Sequence, residues 1–371
     1  MLFHGRTARA AVVGLCCSVV MVGPLLADPV SPAAPAAPGE QAPGDQNPDE
    51  IFERAERLEG QSHEHLTQGE LPKAIAALKA ANACRMPLLG ADHWGVRTAA
   101  LQVKALEELQ ALPAAKREAA VSALAKWESA AREFDPSQGM VGLTDLGKCC
   151  DVLCRTLGDD SVLTARARIH LAELQTGARR SAEARLTAGA VNAQTVKLLG
   201  KNHPWYAFSL SLMATADGQL GQWDAARKEA ALALRANEHL WGEDTPPCGM
   251  NYLTLAWVDI NRRDFDAARR HSENALYALA ESKEQDPANY ALAKAHLAHA
   301  LSELGKTEDA KKEYISLVSY CDEQEGVPGE LERDICRRYV DLLNQLGNEQ
   351  DRKAIEERLA RLPMSDETVV R

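Results

Sequence analysis

The strongest constraint on the fold of this chain is an internal repeat of 42 residues. Alanines recur at this spacing at four positions, which are Ala184, Ala226, Ala268 and Ala310. A glycine follows sixteen residues after three of them, at Gly200, Gly242 and Gly326. Periods of this length are typical of repeat proteins, in which each repeat is one supersecondary unit that buries its apolar face against its neighbours.

The pattern within one repeat predicts two helices joined by a short turn. Small residues are needed where two helices cross closely, and large apolar residues three or four positions away fill the remaining space. The glycine ends the second helix, because it readily takes the left-handed conformation, and a proline such as Pro204 or Pro246 suits the next first turn. The low aromatic content of 5% favours helices over strands. We therefore predict an all-α solenoid of about six or seven helix hairpins.

The repeat resembles the tetratricopeptide repeat (TPR) family. The matching features are Leu-Ala or Met-Ala in the first helix, Gly-x-aromatic-x-x-Ala at the turn, and small residues in the second helix. The segment Leu-Gly-x-x-His-Pro at residues 199–204 is similar to the joint between repeats of the 42-residue kinesin light chain type. The resemblance is strong over about residues 158–326 and weaker over 49–134 and 329–362. It implies a right-handed superhelix that binds a peptide or a partner domain in its concave groove.

The array is predicted to occupy residues 49–362, and a short tail follows at 363–371. Its register is interrupted near residues 134–158. Asp135-Pro136-Ser137 breaks a helix there, and the pattern of residues 139–157 predicts one unpaired helix. Either a lone helix is inserted there or one repeat is degenerate. We predict a kink in the superhelix at this point.

Residues 1–27 have the anatomy of a secretory signal peptide. Arg6 and Arg9 precede an apolar run, and Leu25-Leu26-Ala27 offers a cleavage site. An uncleaved signal anchor is the alternative, since Leu25 suits the cleavage site poorly. Residues 28–48 are rich in proline and alanine and predict a disordered linker. The array is therefore expected in the periplasm or the extracellular space, attached to a membrane only if the signal is an uncleaved anchor.

The charge of the chain argues against one class of partner. The formal net charge is −11, and an acidic surface repels phosphate backbones, so nucleic acid is not expected to bind. A protein or peptide partner is expected instead.

No catalytic, cofactor-binding or metal-binding motif stands out, so a protein that is not an enzyme and needs no cofactor is predicted. His63 and His65 stand two apart on a helix and diverge, so a surface helix is the preferred interpretation. Cys150 and Cys154 stand four apart, which is compatible with one face of a metal site or with a disulfide. Small buried side chains are the preferred interpretation of these two cysteines.

Two further groups of polar residues are candidate binding sites. His296 and His299 stand three apart and can share a helix face, but packing or solvation is the preferred interpretation. Asp217 and Asp259 occupy the same repeat position, and a buried carboxylate there needs a partner. Arg262, Arg263 or the following helix is expected to supply it. Inter-repeat capping or a solvated edge is preferred over cation or lysine binding.

The resemblance places the binding groove on the first helix of each repeat. Carried over by register, the predicted groove residues are Phe208, Ser211, Thr215, Met250, Leu253, Trp257, Ile260 and His299. A concave apolar patch rimmed by acids suits an extended or helical peptide with apolar anchors and some basic residues. The alternative is that packing between helices buries the large apolar members of this set.

The function predicted from these features is a non-enzymatic, extracytoplasmic scaffold for protein–protein interaction. A structural, self-assembling envelope component is the alternative, and a hydrolase with a novel site in the groove is a third, weaker interpretation. The sequence leaves the identity of the partner and the oligomeric state open.

Overall fold

A computed structural model describes residues 48–133 and 140–362 of the chain, and these residues form helices and turns without any strand. Four predicted features lie outside the described residues: the signal peptide, the linker up to residue 47, the break at residues 135–137 and the tail from residue 363. Among the described residues, no helix is both long enough and apolar enough to span a bilayer.

Fifteen α-helices fill the described part of the chain. They are α1 (Pro48–Thr67), α2 (Leu71–Leu89), α3 (Trp94–Gln110), α4 (Ala114–Glu133), α5 (Met140–Leu157), α6 (Val162–Gly177), α7 (Ser181–Leu198), α8 (Pro204–Gln219), α9 (Trp223–Trp241), α10 (Pro246–Asn261), α11 (Phe265–Ala278), α12 (Pro287–Glu303), α13 (Thr307–Glu323), α14 (Gly329–Leu346) and α15 (Glu349–Arg361). A short 3₁₀ turn at Ala280–Ser282 follows α11.

The helices follow one another as seven hairpins and one single helix. The hairpins are α1–α2, α3–α4, α6–α7, α8–α9, α10–α11, α12–α13 and α14–α15. The single helix in this order is α5, but it packs against both α4 and α6, and more closely against α4 than α3 does. The chain is therefore an all-α solenoid with the predicted number of hairpins. The predicted extra helix is present as Met140–Leu157, but it is not unpaired.

The contacts divide the described chain into two compact units. The N-terminal unit contains the described residues up to Ala178 together with Leu186–Tyr206, and the C-terminal unit contains Arg179–Arg185 together with the described residues from Ala207 onward. In the C-terminal unit, first helices also meet, since α10 packs against α12 and α12 against α14.

The residues that define the 42-residue register have the roles predicted for them. Ala184, Ala226, Ala268 and Ala310 are all completely buried. Gly200 and Gly242 have φ angles of 86° and 94°, which residues with a Cβ rarely adopt. The small residues therefore allow close helix approach, and the glycines end the second helices of their hairpins.

The segment before α8 is fixed by His203, which is buried. Its Nδ1 accepts from the backbone N–H of Trp205 (3.1 Å), so Nε2 carries the proton and donates to Oγ1 of Thr98 (2.8 Å). Thr98 in turn donates to the carbonyl of Trp94 at 2.7 Å. This chain of hydrogen bonds joins residues 105 positions apart in the N-terminal unit, so His203 is a structural joint.

Candidate functional site

The N-terminal unit contains a pocket between the first helices of three hairpins. Helices α1, α3 and α6 supply most of the lining, with one residue from α2. The pocket has an apolar wall and a polar side, and its free space is about 10 Å³, which is enough for one water molecule. The apolar residues are Leu66, Leu78, Leu106 and Leu163, and the polar residues are Glu59, Ser62, His63, Gln102 and Arg166.

One polar side of the pocket is a network of three charged or titratable groups. Arg166 donates to Glu128 through both terminal nitrogens, at 2.9 and 3.2 Å, and its guanidinium stands 5.1 Å from the ring centre of Trp127. His63 Nδ1 lies 3.2 Å from the Glu128 carboxylate. Burial alone would raise the pKa of Glu128, but the charge of Arg166 and the contacts of His63 outweigh it and lower the pKa to about 2. Glu128 is therefore ionised at neutral pH and paired with Arg166.

The floor of the pocket rests on a buried ion pair between Glu59 and Arg85. Both residues are almost inaccessible, with 6% and 3% of their surface exposed. Arg85 donates to Glu59 with both terminal nitrogens, and Nη2 lies 2.9 Å from Oε2. This forked geometry neutralises both charges and holds α1 against α2.

Gln102, which lines the pocket, has a side-chain N–H donor without a hydrogen-bond partner among the described residues. The residue is 6% exposed, and its Nε2 has no hydrogen-bond partner within the described residues. The neighbouring Ser62 hydroxyl, by contrast, donates to the Ala74 carbonyl at 2.9 Å. Buried donors are normally satisfied, so an acceptor supplied from outside would remove an unfavourable feature of the fold.

Two of the predicted groove residues lie in the core of the C-terminal unit. Leu253 and Trp257 are each 2% exposed. Leu253 belongs to the apolar cluster of α10, α11, α12, α13 and α14. The Trp257 ring packs edge-on against Trp223, with ring centres 5.4 Å apart, and lies over Gly218. For these two residues the packing alternative holds, and neither presents a surface to a ligand in this structure.

The other six predicted groove residues are half-buried and stay a prediction. They are Phe208, Ser211, Thr215, Met250, Ile260 and His299. Ser211 donates to the Asn251 side chain at 2.8 Å, which ties α8 to α10. His299 packs edge-on against Phe265, with ring centres 6.2 Å apart. Phe208, Met250 and Ile260 are the apolar members of this group, and Phe208 and Met250 occupy equivalent positions of successive repeats.

The two aspartates at equivalent positions form a repeated charge clamp. Arg185 donates through Nε to both oxygens of Asp217, at 2.8 and 2.9 Å, and through Nη2 to Glu229 at 2.9 Å. Forty-two residues later in each case, Arg227 donates to Asp259 at 2.8 Å and the His271 ring contacts the same carboxylate at 2.8 Å. Inter-repeat capping, the preferred interpretation, is therefore the observed role.

The partners of this clamp differ from those expected. The arginines lie 32 residues before the aspartates, on the preceding second helix, and not directly after them. Arg262 instead pairs with Asp224 at 3.2 Å. The following helix does contribute, since it supplies His271 to Asp259. The recurrence of arginine at 185 and 227 in the 42-residue register was the signal that could have identified the clamp from sequence.

The histidines weighed as metal ligands have other roles. His65 contacts Glu70 at 2.8 Å, whereas His63 contacts Glu128, so the two diverge as predicted. His296 is 3% exposed, and burial, followed by the charge of Arg338, lowers its pKa to about 3. Across the part of the chain that the structure describes, no group of three or more His, Cys, Asp or Glu side chains is arranged to hold a metal ion.

His296 makes the stability of the fold depend on pH. The neutral ring is favoured in the folded chain and its pKa is about 3, whereas an exposed histidine titrates near 6.5. The stabilising effect is therefore complete above about pH 6.5 and is lost as the pH falls toward 3. At pH 5 we expect His296 to lower the unfolding free energy by about 2 kcal/mol relative to pH 7.5.

Urea unfolding of wild type and His296→Met at both pH values measures this effect. The variant should lose the His296 part of the pH dependence, whereas His239→Gln, at an exposed site on α9, should keep it. Parallel pH curves for wild type and His296→Met would contradict the prediction.

Cys150 and Cys154 form a contact on α5. Cys150 is 4% exposed, Cys154 is half-buried, and their sulfur atoms lie 3.9 Å apart. The hydrogen bond from Cys150 is the largest influence on the pKa of Cys154 and lowers it. Burial raises this pKa and the charge of Arg168 lowers it further, so the pKa of Cys154 is about 7. Both cysteines are free thiols, so burial among apolar side chains describes Cys150 but not fully Cys154.

Comparison with known proteins adds one structural likeness. No family profile matches this chain. No curated protein matches it in sequence. Among solved structures, the crystal structure of BtubC (BKLC) from P. vanneervenii is similar, with 13% identity and a TM-score of 0.46 over 76% of this chain and 94% of that one. A likeness at this level does not identify the function.

Proposed function

We propose that this chain is a non-enzymatic, extracytoplasmic scaffold that binds a peptide segment of a partner protein. A helical repeat fold is compatible with an interaction scaffold, because stacked hairpins present the side chains of successive helices on one surface. Export is supported by the signal-like sequence of residues 1–27. The observation that carries the proposal is the pocket between α1, α3 and α6 with the open amide donor of Gln102.

The chemistry of the pocket selects the kind of side chain that it takes. The open group is a donor, so the ligand must supply an acceptor oxygen. Glu59 and Glu128 are close by and already neutralised by arginines, so a further carboxylate gains no free cation there. An asparagine or glutamine side chain of the partner suits this donor best. The pocket has free space of only about 10 Å³, so the leucines of the apolar wall must move apart to admit the side chain.

The outer surface of α1 adds a charge preference. Glu53, Glu56 and Glu64 on this helix are exposed, and its exposed basic residues are Arg54 and Arg57. Exposed acids of this kind favour basic partners and increase the rate of encounter at low salt. The proposed ligand is therefore a peptide with an amide anchor and flanking lysines or arginines.

Peptide display on the purified chain tests this proposal directly. We expect selection of a family of peptides that share an Asn or Gln at one position near basic residues. Gln102→Leu keeps a side chain of similar size and removes the donor. It should weaken binding of the selected peptides about tenfold, because one hydrogen bond to a buried acceptor contributes roughly 1–2 kcal/mol.

The matched control lies on the same helix. Gln110→Leu makes the same change at an exposed position at the end of α3, so it should leave the affinity unchanged. Absence of any enriched peptide family would contradict peptide binding, and equal affinities for wild type and Gln102→Leu would remove the pocket as the site. Light scattering across a range of concentrations tests the self-assembly alternative, which requires a particle mass that grows with concentration.

A further inference from the structure

The thiols of Cys150 and Cys154 are held close together in a helix that does not favour a disulfide between them. Residues four apart on a helix have Cβ atoms about 5–6 Å apart. A disulfide needs Cβ atoms at about 3.5–4.5 Å, so bond formation would require α5 to distort. The sulfurs nevertheless approach to 3.9 Å, because both side chains lean to the same face. The pair is therefore a dithiol that the helix keeps from closing on itself.

The surroundings of the pair supply a compensating positive charge. Arg168 of α6 favours the ionised forms of both thiols. The hydrogen bond to Cys154 and burial nevertheless raise the pKa of Cys150, so Cys154 is the more acidic thiol of the pair. Arg168 is held by an ion pair with Asp159 at 2.6 Å and by a hydrogen bond to the Gln194 side chain at 3.2 Å. A pair of thiolates bound to a monovalent cation has a net charge of −1, which Arg168 offsets in part, since Asp159 shares its charge.

We infer that Cys150 and Cys154 form a two-thiolate binding site for a soft monovalent cation of the Cu(I) class. Thiolate ligands select soft ions such as Cu(I), Zn²⁺ and iron–sulfur clusters. Structural zinc needs four ligands, and no third suitable side chain accompanies the pair among the described residues. Cu(I), in contrast, is satisfied by two thiolates.

Binding of an ion between the sulfurs requires them to move apart, because two-coordinate Cu(I) prefers a nearly linear arrangement of its two ligands. With metal–sulfur bonds of about 2.3 Å, sulfurs 3.9 Å apart subtend an angle of about 115° at the ion. Rotation of the half-buried Cys154 side chain widens this angle. Binding breaks two S–H bonds, releases two protons and forms two sulfur–metal bonds, and no electron is transferred because the metal arrives as Cu(I).

The test is an anaerobic competition for Cu(I) between the full chain and a chromogenic Cu(I) chelator. The background carries Cys16→Ser and Cys17→Ser, so that these adjacent N-terminal cysteines do not bind the metal. We expect Cys150→Ser and Cys154→Ser to withdraw one equivalent of Cu(I) less than the background protein. Cys84→Ser changes a half-buried cysteine on α2 and should withdraw as much as the background protein.

Circular dichroism of each variant separates loss of the site from loss of the fold. If Cys150→Ser unfolds, the half-buried Cys154→Ala provides the same comparison. Equal Cu(I) uptake by the background protein and by folded Cys154 variants would overturn the proposal. So would a mass 2 Da lower in the proteolytic fragment that contains both cysteines, measured in a Cys149→Ser background because Cys149 lies in the same fragment. That result would show that Cys150 and Cys154 form a disulfide instead.

Discussion

Trp257→Ala is expected to destabilise the chain by about 3–5 kcal/mol, the range for removal of a large aromatic side chain from a core. The ring is 2% exposed and packs against Trp223. It lies so close to Gly218 that a Cβ there would come within 2.3 Å of it, so neighbouring helices cannot easily collapse into the space it leaves. Urea unfolding followed by circular dichroism measures the loss.

Two substitutions at more exposed positions serve as controls for this prediction. Tyr277 is 69% exposed, so Tyr277→Ala should change the unfolding free energy by less than about 0.5 kcal/mol. Phe208→Ala, at a half-buried position, should fall between the two. A stable, folded Trp257→Ala protein would show that the ring is not a core residue and would restore it to the predicted groove.

Arg85→Met is expected to cost about 3–5 kcal/mol, because it leaves the Glu59 carboxylate buried without its partner. The double variant with Glu59→Met should recover much of this loss, since a buried ion pair can be replaced by apolar side chains at little cost. Thermal and urea unfolding of the two single variants and the double variant completes a double-mutant cycle.

A surface ion pair that links the same region of the unit serves as the control. Lys79 and Glu107 lie 2.6 Å apart, but their side chains are 55% and 47% exposed. Lys79→Met should therefore cost at most about 1 kcal/mol. Equal effects of Arg85→Met and Lys79→Met would mean that burial does not determine the strength of the Glu59–Arg85 interaction.

The repeat could be predicted because its signals are local. Buried alanines at 42-residue spacing and glycines with positive φ follow from the close approach of helices and from the end of each hairpin. The single helix α5 could be predicted for the same reason, since the register fails at that point by a definite number of residues.

The candidate site could not be predicted, because its members are distant in the sequence. Arg166 contacts His63 across 103 positions and Glu128 across 38. His63 was interpreted as a residue of a surface helix, and only the packing of α1 against α4 brings it to Glu128. No periodic pattern encodes such a meeting of three helices, since each residue looks like an ordinary polar position on its own helix.

Register also could not decide which residues of a first helix face a ligand. Phe208 and Met250 occupy equivalent positions and are both half-buried, whereas Thr215 is half-buried and its equivalent Trp257 is in the core. The difference arises because Gly218 has no Cβ, and the buried Trp257 ring occupies the space that a Cβ would need.

The class of fold, the number of hairpins and the positions where helices end follow from the sequence alone, because they depend on contacts and backbone preferences within one repeat. The pairing of polar residues, the burial of particular apolar residues and the unsatisfied donor of Gln102 emerge only in the folded chain. Those properties depend on side chains from several repeats that meet only after the helices have packed.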